Sequence, residues 1–441
     1  VAAARRSPYE PLAPYLPFDG ARIRLLFLVA DTGGGHRAAA RAVGQALDRR
    51  YPGAFVRILC DPLGGPQAAP LMRWITRLYA PSIRLARWTW ALAYHGTNSP
   101  GAVRLLRATL LRLADPPVAA AVARHRPAAV VSFHPLTGTA AVRARDGRAP
   151  ATPVVTVVTD LVTAHASWRD ADVDRMVVPP TVNWPDRAGD PATRRIPVGV
   201  PVAPAFAGSP LSRAARNALR RSLGVPEDRF LVLVTGGGEG AGGIARQITA
   251  LLRHVPDIAL VAVCGRNGRL RRRLLAVAGR YPRRLVVKGF VDNMPDWLRC
   301  ADVLVGKAGP GTIAEATCCG TPIVLTSRLP GQERGNVAHV VGSGAGAYAP
   351  TVRGLVRTVT DLCRQPARTE AMRAASAGLG RPGAAEQIAD LLADLVGLPG
   401  GVRVDRPPAR PLPVCGTGRD PVDQLRGRGR GPEHLLSGRS T

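Results

Sequence analysis

Residues 29–43, VADTGGGHRAAARAV, place three glycines and a histidine between an apolar run at 25–28 and an Ala/Arg-rich stretch of helical composition. Gly33, Gly34 and Gly35 permit backbone torsions that other residues resist, and they let a second molecule approach the main chain closely. A helix starting near His36 offers unpaired N–H groups and a positive dipole end. Such a place suits anionic or polyhydroxylated ligands. An imidazole there can accept a proton near neutral pH. The alternative is an ordinary tight turn with a solvent-facing histidine, because glycine-rich turns are common between strand and helix.

Three more turns carry groups suited to a nucleotide or a sugar. Residues 233–243, LVTGGGEGAGG, read as a strand, a glycine-rich loop and a helix start. Backbone N–H groups there can cradle a diphosphate. The Lys-Ser/Thr of a P-loop is missing, which argues against ATP hydrolysis. Residues 306–325, GKAGPGTIAEATCCGTPIVL, supply a second loop, in which Gly309, Gly311 and Thr312 lead into a helix carrying Glu315. An acidic residue one turn into such a helix can accept hydrogen bonds from ribose hydroxyls. Residues 329–336, LPGQERGN, follow the next strand and hold Gln332, Glu333 and Asn336, which can read sugar hydroxyls. Each turn alone fits an ordinary βα connection. Three in succession in one half of the chain fit it poorly.

The elements that must position these groups are legible as short apolar runs. Strands are expected at 25–28, 55–60, 128–133, 153–160 and 175–180, and again at 230–238, 258–265, 284–290, 301–309 and 322–327. Continuous apolar runs ending in Gly or a polar residue suit parallel strands buried on both faces. Alternation with helical stretches implies doubly wound sheets with right-handed crossovers. The Pro/Gly-rich stretch 197–208 reads as a linker. The expectation is therefore an α/β protein with an irregular lead (1–20), a first lobe (21–200), a second lobe (201–397) and a disordered basic Pro/Gly-rich tail (398–441). Ligands belong at the carboxyl ends of the strands, in the cleft between lobes.

The 441 residues suffice for two such lobes, and the 46% hydrophobic content is that of a globular chain. The formal net charge of +29 is shared by both halves, and it favours anionic partners such as nucleotide-sugars or an anionic membrane. With only 5% aromatic residues and no RNA-binding signature, nucleic acid is not expected. The seven cysteines stand at 60, 264, 300, 318, 319, 363 and 415, with no zinc spacing, and are expected as reduced thiols of a cytoplasmic protein. No run of 18 apolar residues and no secretory apolar region appear, so the chain is not expected to span a bilayer.

Taken in order, DTGGGHRA (31–38), HGTNSP (95–100), SFHPL (132–136), VTDLVTAHASW (158–168), GGGEGAG (236–242), CGRN (264–267), KGFVDNM (288–294), KAGPGTIAEA (307–316) and GQERGN (331–336) resemble the monogalactosyldiacylglycerol synthases and the bacterial diacylglycerol glucosyltransferases. The resemblance implies a GT-B glycosyltransferase with two Rossmann-like lobes and an inverting mechanism. No metal and no cofactor are implied, the UDP-sugar being a co-substrate. It implies that Gly237, Gly238 and Gly240 lie near the diphosphate. Phe290 and Val291 would border uracil with Arg266 close by, and Gly309, Gly311, Thr312 and Glu315 would serve the donor, Glu315 at the ribose. Gln332, Glu333 and Asn336 would face the hexose. Across the cleft, Gly34 and Gly35 would let the acceptor approach, and His36 would remove the proton of its hydroxyl. Asp160 and His165 would contact the acceptor or orient the site. His95 and His134 fall in the same motifs, where structural roles are equally open.

The implied acceptor is diacylglycerol and the donor a UDP-hexose, galactose or glucose. A polyprenyl-linked or natural-product acceptor is the alternative, and a UDP-sugar epimerase a more distant one. A lipid acceptor requires a membrane-facing surface, on the cytoplasmic face of the membrane. Between Asp61 and Asp115 there is no acidic residue, while seven arginines and Trp74, Trp88 and Trp90 fall there. In LMRWITRLY (71–79), Leu71, Trp74, Ile75 and Leu78 recur at helical spacing, with Arg73 and Arg77 off that stripe. Tryptophans suit the bilayer interface and arginines its anionic headgroups. A core helix with a solvated basic face is the competing expectation.

Overall fold

The computed structural model describes residues 22–30, 34–85, 87–169, 172–182, 184, 194–208, 211–238 and 243–398, with the side chains of 79–88 outside that description. The expected lead (1–20), nearly all of the tail, Gly33, Gly240 and the side chain of Trp88 therefore lie outside the described residues.

Two six-stranded parallel sheets organise the chain. The first contains β1 (Ile23–Leu28), β2 (Phe55–Cys60), β3 (Ala129–Ser132), β4 (Val154–Val157), β5 (Arg175–Val178) and β6 (Arg195–Pro197), in the order β2-β1-β3-β4-β5-β6. The second contains β7 (Phe230–Thr235), β8 (Ile258–Val263), β9 (Leu285–Lys288), β10 (Val303–Lys307), β11 (Ile323–Ser327) and β12 (Gly346–Tyr348), in the order β12-β11-β10-β7-β8-β9. All ten strands expected from the apolar runs are present. The two edge strands β6 and β12 were not expected. Each is three residues long, too short for a run of apolar residues to stand out.

Alternating residues of β1 feed opposite faces of its sheet. Leu25 and Phe27 join one buried cluster, while Leu26 and Leu28 join another. β7 does the same, with Leu231 and Leu233 on one side and Val232 and Val234 on the other. Burial on both faces explains why these strands are apolar throughout instead of alternating.

The order of each sheet reverses beside its first strand: between β1 and β3 in one, between β7 and β10 in the other. A crevice opens at such a point, because the connections on its two sides leave in opposite directions. The register pairs Leu28 with Ser132 at one switch point and Val234 with Val305 at the other.

One expected boundary is corrected. The helix Ala384–Leu395 belongs to the core of the first lobe, where Ile388, Leu391 and Leu392 pack with Phe27, Val43 and Leu47. Leu398, expected to begin the tail, is buried in the same cluster. Asp390 accepts hydrogen bonds from Arg50 (2.5 Å) and Tyr51 (2.8 Å), which ties the end of the second half back to the first. The apolar face of this helix is visible in the sequence, but which lobe it covers is not.

Candidate functional site

His36 stands in the first turn of the helix Gly35–Arg50, shortly after β1. Gly34 caps that helix at φ +81°, a left-handed conformation that glycine adopts without penalty. A Cβ at Gly34 or Gly35 would meet none of the described residues within 4 Å. The His36 Nδ1 and Thr159 Oγ1 share a hydrogen bond of 2.9 Å. The ring stands edge-on to His134 at 4.6 Å between centroids and lies 6.1 Å from Trp168. The residue is half-buried, with protein around most of the ring. Burial lowers its pKa to about 4 against a small opposing effect of the Phe133 backbone. Burial, and the facing His36, push His134 well below the usual imidazole value as well. Both rings are therefore neutral near pH 7, and the burial that keeps His36 neutral also makes it a weaker base than a free imidazole.

Asp160 follows the end of β4 and is buried. Its Oδ2 accepts the Trp168 indole N–H at 2.7 Å, and its Oδ1 accepts the Gln332 amide Nε2–H at 2.8 Å from the other lobe. Burial raises its pKa, and the Gln332 and Trp168 hydrogen bonds work against that rise. His165 is occupied locally. Its Nδ1 accepts the Ser167 N–H and so caps the short turn Ala166–Trp168, while its Nε2 lies 3.2 Å from Thr97 Oγ1. The structure thus gives His165 the task of shaping the turn that carries Trp168.

On the facing lobe, Gly237 and Gly238 follow β7, and Gly309 follows β10. The Arg266 N–H donates to the Gly238 carbonyl at 2.9 Å, closing two loops against each other. A Cβ at Gly265 would come within 2.4 Å of that same carbonyl oxygen, and φ there is +56°, so only glycine fits. The Arg266 guanidinium stacks 5.8 Å over the ring of Phe290, which is exposed, while Val291 is partly buried against the core. This leaves an aromatic face and a cation beside the glycine loop. The helix Pro310–Cys318 begins at Gly309, with Gly311 and Thr312 in its first turn and open space beside Gly311.

The side chain of Glu315, one turn in, makes no hydrogen bond or ion pair among the described residues, and burial raises its carboxyl to about 7. Asn336 is buried, donates from Nδ2 to the Ala308 carbonyl at 2.9 Å, and keeps Oδ1 without a partner among the described residues. Gln332 likewise keeps Oε1 buried without a partner. Glu333 differs from its neighbours in this loop. Its Oε1 accepts from Lys307 Nζ at 2.8 Å and its Oε2 from the Leu329 N–H at 2.7 Å, so it holds the loop together.

A cleft of about 780 Å³ separates the helix Arg87–Thr97 of the first lobe from the ends of β11 and β12. Tyr94, His95, Arg328 and Arg334 are among its lining residues. Nearby, the helix Pro70–Leu85 turns its apolar stripe outward. Leu71, Trp74, Ile75 and Leu78 are 50%, 60%, 37% and 42% exposed, while Met72 is buried. The competing expectation of a core-facing stripe is thereby overturned. Arg77 is exposed and Arg73 half-buried beside this stripe. Trp90 is half-buried, its ring 6.4 Å from that of Tyr94. Among the described residues, no helix is long and apolar enough to cross a membrane, and no group of three His, Cys, Asp or Glu side chains is placed to hold a metal ion. The six described cysteines are free thiols, five of them buried.

The sequence did not single out Thr159, Trp168 or Lys307. Thr159 lies just past the carboxyl end of β4, where residues face the crevice, and that position was the available signal. Lys307 acts through a partner from another segment of the chain, Glu333, and Trp168 bonds to Asp160 within its own segment while its ring packs near His36 from a distant one, and no local pattern reveals these pairings.

Comparison with known proteins agrees with this geometry. Residues 36–202 match the family described as monogalactosyldiacylglycerol (MGDG) synthase, and residues 231–388 match the glycosyltransferase family 28 C-terminal domain. The chain is 34% identical to the probable monogalactosyldiacylglycerol synthase 2, chloroplastic, of Oryza sativa subsp. indica, over 76% of this chain and 72% of that protein. It is 32% identical to monogalactosyldiacylglycerol synthase 3, chloroplastic, of Arabidopsis thaliana, over 76% of this chain and 73% of the relative. Among solved structures it is similar to Acinetobacter baumannii MurG, with a TM-score of 0.55 at 17% identity, covering 84% of this chain and 99% of that one. The two facing doubly wound lobes are the GT-B fold.

Proposed function

The chain belongs to the monogalactosyldiacylglycerol synthase family and is a glycosyltransferase, and from its site we propose that it transfers a hexose from a UDP-sugar to diacylglycerol with inversion at the anomeric carbon. The observation that carries this reading is the pairing across one cleft. On one lobe stands His36, neutral and partly enclosed; on the other, Gln332 Oε1 and Asn336 Oδ1 are buried without partners among the described residues, and the half-buried Glu315 side chain bonds to none of them. Buried polar atoms without partners are costly unless a ligand supplies them.

Uracil stacks by Phe290 and Val291 beside Arg266. The ribose hydroxyls donate to Glu315. The diphosphate lies over Gly237, Gly238 and the first turn of the helix Pro310–Cys318, whose free N–H groups favour negative charge. The hexose meets Gln332 and Asn336. On the other lobe His36 takes the proton of the acceptor hydroxyl as its oxygen attacks the anomeric carbon. The bond from that carbon to the diphosphate oxygen breaks, and UDP leaves with the electron pair. The helix N-terminus stabilises this developing charge, so the proposed step uses neither metal nor cofactor. Thr159 holds the His36 ring in place.

The exposed apolar stripe Leu71, Trp74, Ile75 and Leu78, with Arg73 and Arg77 beside it, supports peripheral docking on an anionic membrane, and the face we propose is the cytoplasmic one. Tyr94 and His95 bring the 780 Å³ cleft close to that stripe, which makes it the route by which the lipid enters. The test is incubation of the purified chain with a panel of UDP-sugars and vesicles containing diacylglycerol or a polyprenyl phosphate, with products identified by mass spectrometry. Glycosyldiacylglycerol is expected. Sugar transfer to the polyprenyl carrier alone, or no transfer from any UDP-sugar, refutes the assignment.

A further inference from the structure

Both oxygens of the buried Asp160 carboxylate are taken by N–H donors, Oδ2 by the Trp168 indole of the first lobe and Oδ1 by the Gln332 amide of the second, and the His165 backbone adds a further hydrogen bond. The Trp168 indole is a donor only, so it fixes Oδ2 as an acceptor. Oδ1 then meets the carboxamide of Gln332, which can turn either its NH2 or its carbonyl toward that oxygen. A carboxylate accepts and does not donate, so the NH2 group points to Asp160 at 2.8 Å. The Gln332 carbonyl must point the other way, and there it is buried without a partner among the described residues.

The backbone around Gln332 leaves it little freedom. A Cβ at Gly331 would lie 2.4 Å from the Tyr94 ring, and one at Gly335 would lie 2.4 Å from Thr163 Oγ1. The loop is thus pressed onto the first lobe on both sides of Gln332. The orientation of this donor-lobe amide is set by a residue of the acceptor lobe.

We propose that Asp160 is a positioning residue that fixes the Gln332 carboxamide, so that its carbonyl oxygen accepts a hydrogen bond from a hydroxyl of the transferred hexose. This rests on the donor assignment made above. It also gives the lobe contact a purpose, since the sugar subsite has its correct hydrogen-bonding polarity only when the two lobes meet.

Exchange of the two groups tests this. In Asp160→Asn, the Trp168 indole holds the carbonyl of the new amide, whose NH2 turns toward Gln332. The Gln332 amide then flips and shows the sugar an NH2 group. In Gln332→Glu, two carboxylates face each other. Each single variant is expected to raise the KM for the UDP-sugar about tenfold, the effect of one lost hydrogen bond, with a smaller change in kcat. The Kd for UDP, which has no hexose, should stay within about twofold of wild type, and it reports that the fold is intact. In the double variant the amide introduced at position 160 donates from its NH2 to one oxygen of the carboxylate introduced at position 332, and the other oxygen of that carboxylate again faces the sugar. Its KM should return toward wild type.

Recovery in the double variant supports the proposal, and a merely structural role would not produce it. An unchanged KM in Asp160→Asn, or a double variant no better than the worse single variant while UDP still binds, overturns it. If Asp160→Asn does not fold, Gln332→Glu and the double variant carry the same comparison from the other side of the bond. A wild-type chain that binds no UDP overturns the donor assignment, and this proposal with it.

Discussion

Replacing Glu315 probes the proposed nucleotide site most directly, because its carboxylate has no partner among the described residues and burial alone raises it to about 7. A carboxylate that accepts ribose hydroxyls gains about 1.5–3 kcal/mol, since charged acceptors form the stronger hydrogen bonds. Glu315→Ala should therefore weaken UDP binding by about tenfold or more. The raised pKa adds a second signature. Hydroxyl donors favour the ionised form, so bound nucleotide should pull the carboxyl back toward its ordinary range. A group whose pKa falls on binding releases protons as the complex forms, so affinity is full above pH 7 and declines as pH drops through 7. With a free pKa near 7 and an ordinary bound value, linkage predicts about tenfold weaker binding at pH 6 than at pH 8. Titration calorimetry with uridine isolates this effect, because uridine has no phosphate that titrates in the range. Glu315→Gln should bind uridine with the same affinity at both pH values. Wild-type affinity in Glu315→Ala, or a wild-type profile as flat as that of Glu315→Gln, refutes the placement of the ribose at Glu315.

His36→Ala should lower turnover by about 10²–10⁴, the usual effect of a lost base, while UDP affinity stays near wild type; near-normal turnover in a folded variant rules the base assignment out. Replacing Arg73, Arg77, Arg84 and Arg87 with Gln should reduce co-sedimentation with anionic vesicles, at about 1 kcal/mol per charge, and spare UDP binding. Equal sedimentation would place membrane docking elsewhere. Gly265→Ala should disturb the contact with the Gly238 carbonyl and weaken UDP binding, because the added Cβ would sit 2.4 Å from that oxygen; unchanged affinity would show that the two loops are not jointly responsible for the nucleotide. Asp302→Ala removes the carboxylate that Arg220 contacts at 2.7 Å and leaves a buried guanidinium without its counter-charge. Denaturant melts should show a loss of about 3–5 kcal/mol, and a change near zero would contradict the buried pairing.

Much of this protein is written in local sequence. Ten of the twelve strands show as apolar runs because parallel strands covered on both faces need apolar side chains at every position, and such runs need no tertiary knowledge to detect. The glycine loops after β1, β7 and β10 are equally local, since a strand must turn there into a helix whose first N–H groups stay free. The order of the motifs was enough to indicate the family.

Other properties belong to contacts between distant segments. The helix Ala384–Leu395 shows its apolar face in the sequence, but only packing decides that the face covers the first lobe. The stripe at Leu71, Trp74, Ile75 and Leu78 has the same periodicity as a core helix, and only the fold shows that it points outward. Gln332, Glu333 and Asn336 sit within five residues, yet their tasks diverge. Lys307 binds Glu333, Asp160 turns the Gln332 amide, and Asn336 is anchored on Ala308. The neutral state of His36 is likewise a product of burial beside His134 and Trp168, which come from later segments of the chain. Local sequence decides which groups are available at each strand end. Charge state and hydrogen-bond partner depend on the dielectric and the neighbours, and these exist only once the sheets and lobes have assembled.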